Sequence, residues 1–352
     1  MMRLEFLRNL KGDEILAKDI LNGNGEVLLK AGYKLNSGVI AKLRKCGIFI
    51  LYIEDERFSD ISIENDMIKQ KKAILKQMPK LFNTLIDGHK FAAKQSIDII
   101  EKLIDEIISL KSINDNLYEF KIYDNYTYIH CVDTGIMSVY LGAYLKLNNS
   151  ELKELGLAAV LHDIGKMRVP NEIINKTTKL IKEEFEEIKK HPIYGKEILS
   201  KTNVVSEKII HGVVQHHERI DGKGYPYGLL EHEISDYAKI ITVSDVFTAI
   251  TADRSYRKKI NPKEAYELIL GGMGTRFDQN VIEAFKKSFA IYPLGCCVKL
   301  SNGVEGYVVR QNKNLPDRPV IRVVYDSVTK QSIQFYEIDL MKHLTLTIEG
   351  VV

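Results

Sequence analysis

Leu161-His162-Asp163-Ile164-Gly165-Lys166 is the stretch on which the reading of this chain turns. A histidine stands beside an aspartate where a helical pattern runs out at a glycine. That sets a neutral nitrogen ligand next to an anionic oxygen ligand on rigid backbone, which is the donor pair a divalent cation takes. Ser150 reads as the N-cap and Gly165 as the C′ residue of one helix that delivers His162 and Asp163 at its end. Lys166 follows His162 by four residues and shares its face if the turn continues the helix.

Around this stretch the chain is helical in pattern from about 120 to 290, and six of its nine histidines fall between 130 and 217: His130, His162, His191, His211, His216 and His217. A lone histidine is more often a satisfied core or surface residue than a ligand, so company matters here. His130 lies inside the pattern Thr127 to Leu147, His191 opens a helix at His191-Pro192, and His216-His217 closes a helix that begins near Val204. Asp245 sits within the apolar run Ile240 to Phe247, where an unpaired carboxylate would be costly to bury and a cation would offset that cost. His89, His211, His232 and His343 have no ligand partner at useful spacing and are left out of the cluster. Asn261-Pro262-Lys263-Glu264 starts a further helix, with a capping side chain and proline at its first position, and Gly271-Gly272 stops it.

The flanks read differently. Residues 1–60 form a small α/β module: two short strands, Glu14 to Leu21 and Glu26 to Leu29, turn at Asn22-Gly23-Asn24-Gly25, and a helix capped by Ser37 runs through Lys45 before the strand Ile48 to Ile53. Residues 61–117 are connecting helices whose apolar stripe, Ile97, Ile100, Leu103, Ile104, Ile107 and Ile108, marks a packed face or a homodimer surface, core packing being the better supported. Residues 291–352 switch to a period of two, with a hairpin at Ser301-Asn302-Gly303, and are expected to form a small β-barrel. The expected fold class is therefore mainly α, with a small N-terminal α/β module, a helical domain over 118–290 and a C-terminal barrel.

Composition excludes several functions. Fifty basic against 47 acidic residues give a formal net charge of +3, too balanced for nucleic-acid binding by bulk electrostatics, so no DNA partner is expected. Cys46, Cys131, Cys296 and Cys297 show no metal or redox spacing and read as reduced thiols, mostly buried. No apolar run approaches the ~18 residues of a membrane span, and Met1-Met2-Arg3-Leu4-Glu5-Phe6 lacks a signal-peptide pattern, so a cytoplasmic protein is expected.

The order His130, His162-Asp163, Asp245 resembles the defining pattern of the HD phosphohydrolase superfamily. Its continuation, His216-His217-Glu218-Arg219-Ile220-Asp221-Gly222-Lys223-Gly224-Tyr225-Pro226, is similar to the extended signature of the HD-GYP subfamily. His191-Pro192 and Asp253-Arg254-Ser255-Tyr256-Arg257 add two further matches, and the resemblance covers residues from about 118 to 290.

The resemblance implies a bacterial, metal-dependent phosphodiesterase that hydrolyses cyclic di-GMP to pGpG and on to GMP by attack of a metal-bridging hydroxide. By position the metal ligands would be His130, His162, Asp163, His191, His216, His217 and Asp245, with Asp163 bridging two divalent ions about 3.5–4 Å apart. Five imidazoles and two carboxylates suit iron or manganese without excluding zinc or nickel, and the family most often uses iron. Relatives that hold three metals carry a glutamate one helical turn before the first histidine; that place is Tyr126 here, so two ions are expected. Asp163 and Lys166 would be catalytic. Lys166, Arg254 and Arg257 would meet substrate phosphates, and Tyr225 would offer its ring and hydroxyl to the nucleotide. The GYP loop is also the family's suspected contact for diguanylate cyclase domain proteins. Two other readings stay open: a low-turnover cyclic di-GMP receptor or cyclase-binding scaffold, and a hydrolase of another cyclic dinucleotide such as cyclic GMP-AMP.

Overall fold

Helices and strands segregate along the chain as their apolar periods require. The computed structural model describes residues 2–21, 27–46, 48, 50–58, 66–109, 127–176, 178–251, 262–288, 292, 294–312, 315, 317–326, 329 and 331–352. The chain divides into two compact units, one built from both termini and one from the helical middle.

In the first unit, β1 (Met2–Phe6), β2 (Ile20–Leu21), β3 (Val27–Leu29), α1 (Ser37–Lys45) and β4 (Ile50–Glu54) make the N-terminal part. β1 pairs antiparallel with β4, and β2 with β3, so the expected hairpin is present with a shorter first strand; its turn at 22–25 lies outside the described residues. Asn36, not Ser37, caps α1: its side-chain oxygen accepts from the Val39 amide at 2.9 Å. The C-terminal part is one antiparallel sheet of β5 (Cys297–Leu300), β6 (Val304–Arg310), β7 (Val320–Asp326), β8 (Gln331–Asp339) and β9 (Ile348–Val351), in the order β8-β7-β6-β5-β9. The expected barrel is thus an open sheet, with β8 and β9 at opposite edges and unpaired with each other. Period-two patterning reports that a strand has two unlike faces; it does not report whether the edges meet.

The two parts share a core. The Leu4 amide donates to the Gly295 carbonyl at 2.8 Å. Phe58, fully buried, packs edge-on against Tyr307 at 4.8 Å, with Met2 and Val324 around them. Arg322 donates to the Arg57 carbonyl at 2.9 Å and to Glu337 at 2.8 Å. All four cysteines are free thiols, Cys131 and Cys296 buried and Cys46 exposed.

The second unit contains α2 (Asp66–Ile86), α3 (Lys90–Ser109), α4 (Thr127–Tyr144), α5 (Asn149–Leu161), α6 (Asn171–Ile174), α7 (Lys182–Ile188), α8 (His191–Thr202), α9 (Glu207–Gln215), α10 (Asp236–Thr251), α11 (Pro262–Gly271) and α12 (Gln279–Ser288). The stripe on α3 is consumed inside the unit. Ile97, Ile100, Ile104 and Ile107 are all buried, facing α2 and α5, while Leu103 and Ile108 are half-buried, so core packing takes most of the face. Each buried side chain contributes roughly 1.5–3 kcal/mol by leaving water. α5 is the central helix, packed against α3, α4 and α9. Gly135 lets α4 approach it, since a Cβ there would come within 2.7 Å of Val160. No helix among the described residues is long and apolar enough to cross a membrane.

α5 begins two residues before the expected cap. Asn148 is the N-cap in a full capping box: its side chain accepts from the Glu151 amide at 3.1 Å, and Glu151 accepts from the Asn148 amide at 3.0 Å. Asn148→Ala removes the side-chain acceptor of the Glu151 amide and leaves the backbone half of the box, and it should lower stability by about 1 kcal/mol. In urea denaturation this reads as a lower midpoint at unchanged slope, with Asn148→Ser close to wild type.

Candidate metal centre

Five helix segments converge on one carboxylate. α5 ends at Leu161 with His162 as its C-cap, and Asp163 leads into a 3₁₀ turn over Ile164–Arg168. The helix therefore stops earlier than Gly165, which is needed for another reason. A Cβ on Gly165 would lie 1.9 Å from the His191 carbonyl oxygen and 2.5 Å from the Gly195 amide nitrogen, so only glycine admits the start of α8 this close. The 3₁₀ turn also redirects Lys166. With three residues per turn it aligns with Asp163, and its Nζ donates to Asp163 Oδ2 at 2.6 Å.

The histidines are oriented from behind. His162 and His216 cap the C-ends of α5 and α9, and His191 begins α8. Their Nδ1 atoms lie 2.7, 2.6 and 2.7 Å from the carbonyls of Ala159, Val213 and Ile188, each three residues back. A carbonyl only accepts, so Nδ1 carries the proton and Nε2 of the neutral ring is a bare lone pair. Those lone pairs face further acceptors. His162 Nε2 is 3.4 Å from Asp163 Oδ2, His191 Nε2 is 3.3 Å from Asp163 Oδ1, and His191 and His216 present Nε2 to Nε2 at 3.3 Å. His130, from α4, places Nε2 3.0 Å from Asp245 Oδ1, and His217 Nδ1 is 3.7 Å from Asp245 Oδ2.

Acceptors that face acceptors in a buried space require a proton or a cation between them. His162 Nε2 and Asp163 Oδ1 are buried and have no hydrogen-bond partner. The donor set fits divalent metal. His130, His162 and Asp245 place ligand atoms within 4.8 Å of one another, as do His191, His216 and His217. Asp163 stands between these groups, with Oδ1 towards His191 and His216 and Oδ2 towards His162 and His130. All seven residues expected from sequence are thus brought together. A third group joins Cys131 to His162 and Asp163, and nothing in the sequence marked that cysteine.

Electrostatics favour ligation by neutral rings. Burial pushes His191 down to about 3 and His217 to about 4, and drives His216 well below its ordinary value. Burial works to raise Asp163, but the charges of His162 and Lys166 outweigh it and hold the carboxyl well below the usual range. At Asp245 burial is likewise outweighed, first by the close contact with His130. His162 moves the other way: burial opposes its charge, yet adjoining Asp163 prevails and raises it. Burial, with Asp163 nearby, pushes the Cys131 thiol well up, so it stays protonated.

The HHE…GYP segment builds one wall. Glu218 is buried and accepts from three backbone amides, Tyr227 at 2.7 Å, Gly228 at 3.2 Å and Leu229 at 3.0 Å, which closes the loop on itself. Gly224 passes so near that a Cβ would lie 2.4 Å from the Glu218 Cα. Tyr225 then stacks on His217 at 4.7 Å, tilted by 32°, and burial raises its phenol. Arg276, from the turn between α11 and α12, has a buried Nε without a partner. Its charge is weakened by burial and by Arg219, with Asp245 and Tyr225 opposing. Glu218 and Arg276 were not singled out from the sequence. Glu218 lay inside a quoted motif without a role, and Arg276 lies too far along the chain for any spacing rule to reach it. Arg254, Arg257 and Tyr126 lie outside the described residues, while His89, His211, His232 and His343 are exposed.

Residues 134–281 match the family described as HD domain. Over these residues the chain carries an HD domain. Residues 297–352 match a second family, the KOW domain associated with HD domain. The chain is 36% identical over 253 residues to a cyclic di-GMP phosphodiesterase of Pseudomonas aeruginosa, covering 72% of this chain and 61% of that one. It is 33% identical to cyclic di-GMP phosphodiesterase PdeB of Borreliella burgdorferi over 58% of this chain and 54% of the relative. A 3′3′-cGAMP-specific phosphodiesterase of Vibrio cholerae is 32% identical over 48% of this chain and 36% of its own. The chain therefore spans between about a third and three-fifths of the length of these relatives.

The GYP loop of the HD domain is held by Glu218 independently of the histidines. Glu218→Ala should remove hydrogen bonds worth about 1.5–3 kcal/mol each to a charged acceptor. Hydrogen exchange at the Tyr227, Gly228 and Leu229 amides should accelerate strongly, with α5 and α9 amides unchanged; equal acceleration in those helices would mean that Glu218 holds the whole fold and not the loop.

Proposed function

We propose that this chain is a metal-dependent phosphodiesterase acting on cyclic di-GMP, with pGpG and GMP as products. The observation that carries the reading is the ring of acceptor atoms facing one another around Asp163, with His162 Nε2 and Asp163 Oδ1 buried and unpartnered. The Pseudomonas and Borreliella relatives named as cyclic di-GMP phosphodiesterases support the substrate. His130, His162 and Asp245 would hold one ion, and His191, His216 and His217 the other, with Asp163 between them; iron or manganese suits this set. When bound, the ions would polarise a phosphodiester and lower the pKa of a water to about 7.

The chain's own groups do the rest. The backbone carbonyls of Ala159, Ile188 and Val213 fix three imidazoles so that no reorientation is needed when substrate arrives. Lys166 is held by Asp163 at the edge of the cluster, where its side chain is partly exposed and its ammonium can meet a non-bridging phosphate oxygen. Tyr225 supplies a ring beside His217 for a base or ribose. Arg254 and Arg257 would clamp phosphates in the substrate. A second substrate, 3′3′-cGAMP, is favoured by the name of the Vibrio relative.

Full-length protein loaded anaerobically with Fe(II) or Mn(II) should convert cyclic di-GMP to pGpG or GMP, lose activity with chelator and regain it on readdition. Asp163→Ala should lose both metal and turnover, whereas Lys166→Ala should keep metal and lose kcat by about 100-fold. Tight nucleotide binding without product would instead support a receptor, and competition between the two cyclic dinucleotides in one assay decides the preference.

A further inference from the structure

His130 is held differently from the other imidazoles of the cluster. His162, His191 and His216 use backbone carbonyls at helix ends, but His130 lies in the first turns of α4. Its Nδ1 meets a side chain instead, the Thr248 hydroxyl, at 3.3 Å. Thr248 stands on α10, three residues beyond Asp245, and is buried.

The hydroxyl has one proton and two lone pairs. Its proton goes to the Ser244 carbonyl at 2.8 Å, with the Asp245 carbonyl at 3.0 Å as second acceptor. The oxygen is then left to accept, from His130 Nδ1–H on one side and from the Thr134 hydroxyl, 2.9 Å away, on the other. Thr134 is fully buried on α4, one turn after His130.

We propose that Thr248, backed by Thr134, is the positioning residue for His130. It takes the Nδ1 proton, leaves Nε2 bare and aims that lone pair at the space beside Asp245 Oδ1. The inference rests on the reading of the cluster as a metal centre. Without an acceptor at Nδ1, the ring settles in the other tautomer and donates Nε2–H to Asp245, 3.0 Å away, which puts a proton where a cation would lie.

Thr248→Val keeps the shape and removes the acceptor; Thr248→Ser keeps the acceptor. Full-length chain stripped with chelator is titrated with Mn(II) alone, and free Mn(II) is read by electron paramagnetic resonance. Thr248→Val should weaken one class of site by about 10- to 100-fold and spare the other, with Thr248→Ser within about threefold of wild type. In metal-free protein the ¹⁵N shifts of the His130 ring should report Nδ1–H in wild type and Thr248→Ser, and Nε2–H in Thr248→Val. The proposal is overturned if Thr248→Val binds Mn(II) as wild type does, if Thr248→Ser is as weak as Thr248→Val, or if wild-type His130 carries its proton on Nε2. Should wild type take up no Mn(II), the metal reading fails, yet the ¹⁵N shifts still decide the bond; they do so from wild type and Thr248→Ser alone if Thr248→Val does not fold.

Discussion

A buried carboxylate with two differently occupied oxygens is the constraint on which the helical unit depends. Asp163 is removed from water just past the end of α5, where an ionised group left alone would cost several kcal/mol. Lys166, from the 3₁₀ turn, meets that charge directly, while α5, α8, α9 and α4 turn the ring nitrogens of His162, His191, His216 and His130 towards it and leave the rest of the charge for a cation to balance. The order of residues in Leu161-His162-Asp163-Ile164-Gly165-Lys166 follows from this. His162 and Asp163 are donors at a helix end, Ile164 seals the turn from solvent, Gly165 admits the His191 backbone, and Lys166 returns a positive charge to Asp163.

What was legible in the sequence was set by local periodicity and by residue chemistry. The apolar stripe of α3, the helix opening at His191-Pro192 and the hairpin at Ser301-Asn302-Gly303 could be read because each depends on residues a few positions apart. The seven members of the cluster were named through the resemblance to the HD-GYP signature, towards which the clustered histidines and the aspartate in an apolar run also pointed. Cap positions were less legible: Asn148 lies two residues before Ser150 and Asn36 one before Ser37, and neighbouring residues with equal capping chemistry compete for the same role. Gly165 was misread for a deeper reason. A glycine after a helix usually supplies a left-handed turn, but here the demand comes from a backbone some 26 residues away, which no local pattern encodes.

Contacts between the ends of the chain were illegible for the same reason. The bond from Leu4 to Gly295 and the packing of Phe58 on Tyr307 join segments separated by most of the sequence, and neither strand carries a mark of its distant partner. The alternation of β5 to β8 announced a sheet without fixing its closure. β9, only four residues long, pairs with β5 and leaves β8 as the other edge, where Phe335 and Tyr336 are about half exposed.

The two halves of the candidate site differ in what they need. Three backbone amides converge on Glu218, and Arg219 pairs with Asp221, so the GYP loop satisfies its own polar groups and holds its shape without a cation. The histidine and aspartate cluster does not: its lone pairs face one another and two of its buried atoms have no partner. Tyr225 is where the self-sufficient part touches the unsatisfied one, its ring lying on His217. The loop therefore gives His217 a fixed surface to pack against, while His217 remains free to take its electrostatic partner from the cluster. A site built this way keeps its GYP wall in place whether or not the charge at its centre has been neutralised, and only the imidazoles and carboxylates respond when it is.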